Sequence, residues 1–210
     1  AGFYAYKLKH VRQEKEIKVK GLLEQADQFL LQKEWVKAKG KLAEAGALMP
    51  KNEDLLKRMD QVKEFENREQ NKALALKKYG EGLSLLESGN REEFQKKTQE
   101  AVLLDEAGGY LEKSEKDLLI YNKRKSEECY DRAIKLWGSN ELDQAMNAFK
   151  ECIALNPGHA EAYYQMAELV FEKEGGSLAA ESYPLYIDCV RKSLDLNPKN
   201  EKAWEKLTAA

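Results

Sequence analysis

Apolar side chains recur at helical spacing along almost the whole chain. No stretch alternates with the period of two that a half-buried strand requires, and no hairpin dipeptide joins strand-like runs. The breaks are few: Lys33-Glu34, Pro50-Lys51-Asn52, Ser88-Gly89-Asn90, Ala107-Gly108-Gly109, Gly138-Ser139-Asn140, Asn156-Pro157-Gly158, Gly175-Gly176-Ser177 and Asn197-Pro198-Lys199. Glycine and asparagine accept the left-handed conformation that ends a helix, and proline cannot continue one. Cutting there predicts an all-α fold of nine helices, near 3–32, 35–48, 52–87, 90–104, 110–137, 141–155, 159–173, 179–196 and 200–208.

The third of these spans about 54 Å at 1.5 Å per residue. Its apolar stripe, Leu55, Met59 and Val62, stops at the polar stretch from Glu66 to Lys72 and resumes with Leu76, Tyr79, Leu83 and Leu86. A two-stranded coiled coil would sustain its heptads through that gap. Two readings stay open: one long helix with a solvated middle, or a break near Asn71.

Internal similarity is the strongest signal. Residues 151–163 (ECIALNPGHAEAY) align with 192–204 (KSLDLNPKNEKAW) at an offset of 41, matching leucine, asparagine, proline and alanine. A third copy, EAGALMPKNEDLL at 44–56, shares the leucine and the proline. Each proline follows one amphipathic helix and precedes another.

On these residues the chain resembles the tetratricopeptide repeat family, in which paired helices of about 34 residues stack side by side. The best copy, 126–159, supplies Cys129, Ala133, Leu136, Ala145, Phe149 and Pro157, with Arg132 where a leucine is usual. The next supplies Tyr163, Met166, Ala167, Val170, Val190 and Pro198, but carries an insertion around Gly175–Ser182 and Tyr186 at a position usually small. Near the start, Leu22, Ala26, Phe29, Ala38, Leu42, Ala45 and Pro50 make another copy, with Gln25 as its misfit. A degraded middle copy keeps Gly82, Leu85, Gly89-Asn90 and Ala101, while Lys78, Glu81 and Thr98 depart from the pattern. The resemblance implies antiparallel helix pairs stacked in a right-handed superhelix, here with unusually long helices. Ala26, Ala133, Ala145 and Ala167 fall where helices approach closely, and Trp204 with Leu207 is expected to close the end of the stack. The expected segments are a basic helix start at 1–18, a first pair at 19–52, a degenerate pair at 53–109, two copies at 110–199 and a capping helix at 200–210.

Composition narrows the function. Hydrophobic residues are 42% and charged residues 34%, too apolar for a disordered chain. A net charge of −2 argues against a dedicated nucleic-acid binder. No run approaches the roughly 18 apolar residues of a membrane span. Cys129, Cys152 and Cys189 sit in apolar helical contexts with no C-x-x-C motif, as free thiols in a reducing compartment do. His10 and His159 are the only histidines, and neither has a partner at metal-ligand spacing. Phosphate loops, nucleophile elbows and dinucleotide fingerprints are missing, so the sequence predicts no enzyme, no catalytic residue and no cofactor.

Residues 1–20 carry six basic and two acidic side chains, directly after Phe3, Tyr4 and Tyr6. Aromatics followed by lysines resemble the cytoplasmic end of a membrane helix. One expectation is therefore an anchor upstream of residue 1. The other is a soluble helix whose Tyr4, Leu8 and Val11 pack on its neighbour. The thiols and the basic flank point to the cytoplasm, with membrane tethering, and the alternative is the periplasmic side of a single-pass membrane protein.

In the resembled family the first helix of each pair lines a concave groove. Mapped here, that groove comprises Glu127, Tyr130, Ile134 and Trp137, then Glu161, Tyr164, Glu168 and Phe171. Exposed rings make efficient anchors; the alternative is that these rings pack against neighbouring helices. Residues 160–182 hold five glutamates against Lys173, so the expected partner is a protein segment with apolar anchors and basic flanks. Leu23, Asp27, Tyr130, Asp131, Ile134, Glu161 and Gln165 occupy the places where some family members clamp a carboxylate, and disfavour one here. The chain reads as an interaction scaffold, with a self-assembling element acting through its long helices as the alternative.

Overall fold

The structure, a computed structural model, describes residues 2–209, and of residues 2, 4, 5 and 209 the backbone alone. The expectation for the Tyr4 side chain therefore lies outside the described residues. Among the described residues there are nine α-helices and no strand: α1 (Gly2–Leu31), α2 (Trp35–Leu48), α3 (Glu53–Glu87), α4 (Arg91–Leu104), α5 (Tyr110–Gly138), α6 (Leu142–Leu155), α7 (Ala160–Lys173), α8 (Tyr183–Leu196) and α9 (Glu201–Ala209). Between the two readings of the third helix, the structure gives one unbroken 35-residue helix. Its middle, 67–74, is exposed, and burial resumes at Ala75 and Tyr79, with Leu76 outside. Helix α8 starts at Tyr183, later than expected, because Pro184 in its first turn suits a helix start and the inserted residues before it form irregular turns.

Two kinds of turn recur. Within a pair the chain reverses through a left-handed residue, and the following amide reaches back to a carbonyl five residues earlier. Lys33 (φ 59°) leads to Glu34 N–H on Phe29 O at 2.8 Å, and Asn140 (φ 61°) to Glu141 N–H on Leu136 O at 2.9 Å. Gly89 and Gly175 serve the turns after α3 and α7 in the same way, at φ 88° and 71°. Before α3, α7 and α9 a proline turn ends in a side chain that caps the next helix, whereas α4 and α5 are joined without proline, through a short 3-10 turn at Glu106–Gly108 and left-handed Gly109 (φ 66°). Asn52 Oδ1 accepts from Leu55 N–H at 2.9 Å, His159 Nδ1 from Ala162 N–H at 3.2 Å, and Asn200 Oδ1 from Ala203 N–H at 3.2 Å.

The helices fall into two compact units: residues 1–81 with 96–109, and residues 82–95 with 110–210. In the first, α1 packs on α2, and Val19, Leu22, Ala26, Leu42 and Ala45 form a core with Leu55 and Val62 of α3. Leu42 and Leu55 are almost fully buried, and each such side chain contributes about 1.5–3 kcal/mol. Arg58 grips Asp27 with two parallel hydrogen bonds of 2.6 and 2.7 Å, and that contact holds the Asp27 carboxyl below its usual range. Trp35 stacks on Phe65 with centroids 3.9 Å apart. Leu8 and Val11 do not pack on a neighbour as the soluble-helix reading required: α2, 14 residues long, matches only half of the 30-residue α1, and residues 6–18 are exposed. The degraded middle copy buries Ala75, Tyr79, Thr98 and Ala101 and is flanked by ion pairs, Lys78–Glu100 at 2.9 Å and Lys97–Glu81 at 3.3 Å.

In the second unit, α5 packs on α6, α6 on α7, α7 on α8 and α8 on α9. Ala133, Ala145 and Ala167 are fully buried, as close helix approach demands, beside Phe149, Cys152, Leu169 and Val190. Burial pushes the thiols of Cys129, Cys152 and Cys189 up, that of Cys189 to about 11, which keeps them protonated and inert. Arg132, where a leucine was expected, turns outward to pair with Glu151. The cap differs from expectation. Ala203 is the buried residue of α9 and Leu207 packs beside it, while Trp204 lies half exposed with its indole N–H donated to Pro198 O at 2.9 Å.

Candidate partner-binding groove

The eight predicted groove residues lie on α5 and α7 of the second unit, and the structure sorts them into three groups. At one end, Tyr130 stacks on His159 with centroids 5.0 Å apart and meets Phe149 edge-on at 5.9 Å. Burial, with help from Glu161, pushes its hydroxyl up to about 12. Glu127 Oε2 lies 3.4 Å from His159 Nε2, while His159 Nδ1 is engaged as the helix cap. This histidine is a structural hinge pin between a turn and a ring, and its signal in the sequence was its alignment with Asn52 and Asn200.

The middle group is open. Ile134, Trp137, Gly138, Gln165 and Glu172 line a shallow recess that is wide open to solvent. Trp137 is half-buried, edge-on to Phe149 at 6.3 Å, and its indole N–H donates to Glu172 Oε2 at 2.9 Å. That bond anchors the indole, and Trp137 shares the lining of the recess with the exposed Ile134. Glu161 stands on α7, accepting from Gln165 Nε2 at 2.7 Å. Glu172 was not among the predicted groove residues, and Gln165 was expected only at a carboxylate-clamp position. Glu172 meets Trp137 from 35 residues away, so one repeat length was the signal that could have found it.

At the far end the groove positions are taken by the chain itself. Lys206 of α9 pairs with Glu168 at 3.0 Å and lies 5.0 Å from the Phe171 centroid, and Phe171 in turn rests on Tyr186. The Glu168 contact raises the Lys206 ammonium above its ordinary range. Tyr164 is buried, so it is no exposed ring. Of the four expected aromatic anchors, Trp137 is the one that borders the open recess.

Carboxylates dominate this face. Glu127, Asp131, Glu161 and Glu172 are all exposed along the α5–α7 surface. Among the described residues no three histidine, cysteine or carboxylate side chains gather as metal ligands would. No helix of the described residues is long and apolar enough to cross a membrane.

The first unit contains a larger opening that sequence reasoning missed. Leu42, Ala43, Leu56, Met59 and Val62 floor a trough of about 510 Å³ between α2 and α3, rimmed by Lys39, Asp60, Lys63 and Glu66. In the pair α7–α8 a second helix folds back over the first. Helix α3 runs straight on instead, so nothing from a returning partner covers Leu56 and Met59.

Fourteen-residue partners, left-handed turns within pairs and capped proline turns between them decide the architecture. The chain is built of tetratricopeptide-like helix pairs. No family model matches the sequence, and no curated protein matches it. Among solved structures it is similar to MamA protein (15% identity, TM-score 0.34, 90% of this chain and 79% of that one). It is also similar to YrrB, a TPR protein with an unusual peptide-binding site (18% identity, TM-score 0.33, 88% and 89%). A third is pilF of Pseudomonas aeruginosa (14% identity, TM-score 0.24, 94% and 100%). These scores are too low to carry any property of those proteins over to the tetratricopeptide-like chain.

Proposed function

We propose that the chain is a non-enzymatic interaction scaffold and that the α5–α7 face of its second unit receives a segment of a partner protein. The reading rests on one observation above all: a shallow surface recess bordered by Ile134 and Trp137, on two helices that also expose several carboxylates. An apolar side chain would rest in the recess, and basic flanks would meet Glu127, Asp131, Glu161 and Glu172. The test uses fluorescent peptides with a central leucine and flanking arginines, against charge-reversed controls, read by polarisation. Ile134→Glu is expected to lower affinity by roughly 2 kcal/mol, about thirtyfold, with an unchanged melting curve. Equal affinity for both peptide sets, or binding indifferent to Ile134→Glu, would sink this reading.

A second reading, self-assembly through the long helix, has its own observation in the trough on α3. Asp60 and Lys63 lie one turn apart beside exposed Leu56 and Met59, so two antiparallel copies of α3 offer each other opposite charges. Sedimentation velocity is expected to show concentration-dependent dimers that Leu56→Glu abolishes. A strictly monomeric chain at high micromolar concentration removes the reading.

A further inference from the structure

The first half of α1 has no role in either reading, and it exposes apolar side chains on two sides: Leu8 and Val11 on the face that continues toward the core, and a second set opposite them. At 100° per residue, Phe3, Tyr6, His10, Gln13 and Ile17 fall within an arc about 80° wide. This arc lies opposite the stripe that continues into Val19, Leu22 and Ala26, the residues that face the core. It is open to solvent: Phe3 is 81% exposed, Tyr6 65% and Ile17 68%. Lysines line both edges, Lys7 and Lys18 on one side and Lys9 and Lys20 on the other, and none of the four forms an ion pair among the described residues. Of the two glutamates of the segment, Glu16 pairs with Arg12 Nε at 3.0 Å, while Glu14, 3.6 Å from His10 Nδ1, stands at the edge of the arc beside Lys7, so six basic side chains outweigh two acidic ones there.

From this geometry we propose that the α1 segment from Phe3 to Lys20 lies flat on an anionic phospholipid surface. Rings and an isoleucine in single file suit the boundary between headgroups and acyl chains, and long lysine stems on both edges reach outward to lipid phosphates. From Phe3 to Ile17 the arc runs about 21 Å, enough to touch several headgroups at once. A protein groove would need no paired lysine borders, whereas a sheet of phosphates on each side of the helix does. The proposal is independent of the α5–α7 groove.

The experiment is co-sedimentation of the whole chain with phosphatidylcholine vesicles, with and without phosphatidylglycerol. Wild type is expected to partition at least tenfold more strongly onto the anionic vesicles. Tyr6→Ser/Ile17→Ser changes only exposed positions and is expected to cut partition about tenfold. Lys7→Glu/Lys18→Glu is expected to cut it at least tenfold, since each lysine near such a surface is worth roughly fivefold. Lys57→Glu/Lys77→Glu, of equal charge change but on α3, leaves it unaltered. Circular dichroism confirms that each variant keeps its helices. No partition by wild type, equal partition on both vesicle types, or an arc variant that binds like wild type overturns the proposal. So does a chain that ignores vesicles but self-associates through the arc, which assigns the surface to a protein contact.

Discussion

Helix α7 and the first half of α3 begin alike and end differently. Each follows a proline turn and is capped by a side chain, His159 for α7 and Asn52 for α3. Counted from those caps, Met166 and Met59 occupy the same position, yet Met166 is 4% exposed and Met59 46%. Four residues later α7 has buried Val170 and α3 has exposed Lys63. The cause lies at the end of each helix. Gly175 and Gly176 turn the chain at φ 71° and 84°, α8 folds back, and the face carrying Met166 and Val170 is covered. In α3 no glycine or proline occurs between Asn52 and Lys78, so the helix continues and the equivalent face meets water. The same apolar side chain is core or surface according to a turn ten residues away.

The largest effect that can break this comparison is at the two methionines. Met166→Ala is expected to cost about 2–5 kcal/mol in urea unfolding, and Met59→Ala less than about 1 kcal/mol. Similar costs would mean that the α3 trough is covered in solution. A middle-sized effect comes from pH. Burial raises Cys189 from 9.0 to about 11, so the folded state holds that proton more tightly than the unfolded state. The stability tied to the neutral thiol is complete below pH 9 and is lost between pH 9 and 11, by about 2–3 kcal/mol. Tyr130, raised to about 12, acts in the same direction from pH 10 upward. Cys189→Ala is expected to flatten the loss between pH 9 and 11, measured by denaturant midpoints across that range. The smallest effect is at the turns. Lys33 and Asn140 adopt left-handed conformations that the turns after α3 and α7 give to glycine. Lys33→Gly is expected to raise stability by about 0.5–1 kcal/mol, and Asn140→Gly by less, because asparagine tolerates that conformation better.

Much of the fold was legible because turns and caps are local chemistry. Proline, glycine and asparagine mark nearly every helix end, and the fully buried alanines stand out by size alone. The unbroken α3 was not decidable, since a polar stretch reads equally as a solvated face or as a break. Leu76 and Trp204 were misplaced because apolar character says nothing about which neighbour is present to cover it. The candidate residues were legible as positions on α5 and α7, but which of them stay open to solvent was not. Tyr164 is buried and Phe171 lies under Lys206, outcomes that depend on α8 and α9 arriving from elsewhere in the chain. Glu172 was missed because its value lies in reaching across to Trp137.

The α5–α7 groove is tested most directly by the indole N–H resonances of Trp35, Trp137 and Trp204, followed while a leucine-centred, arginine-flanked peptide is titrated into the whole chain. Trp35 stacks on Phe65 in the first unit, and Trp204 sits on α9 with its own carbonyl partner. The prediction is a saturable shift of the Trp137 signal alone, abolished by Ile134→Glu. A shift of Trp35 with Trp137 unmoved, or no shift in any of the three, contradicts a partner site between α5 and α7.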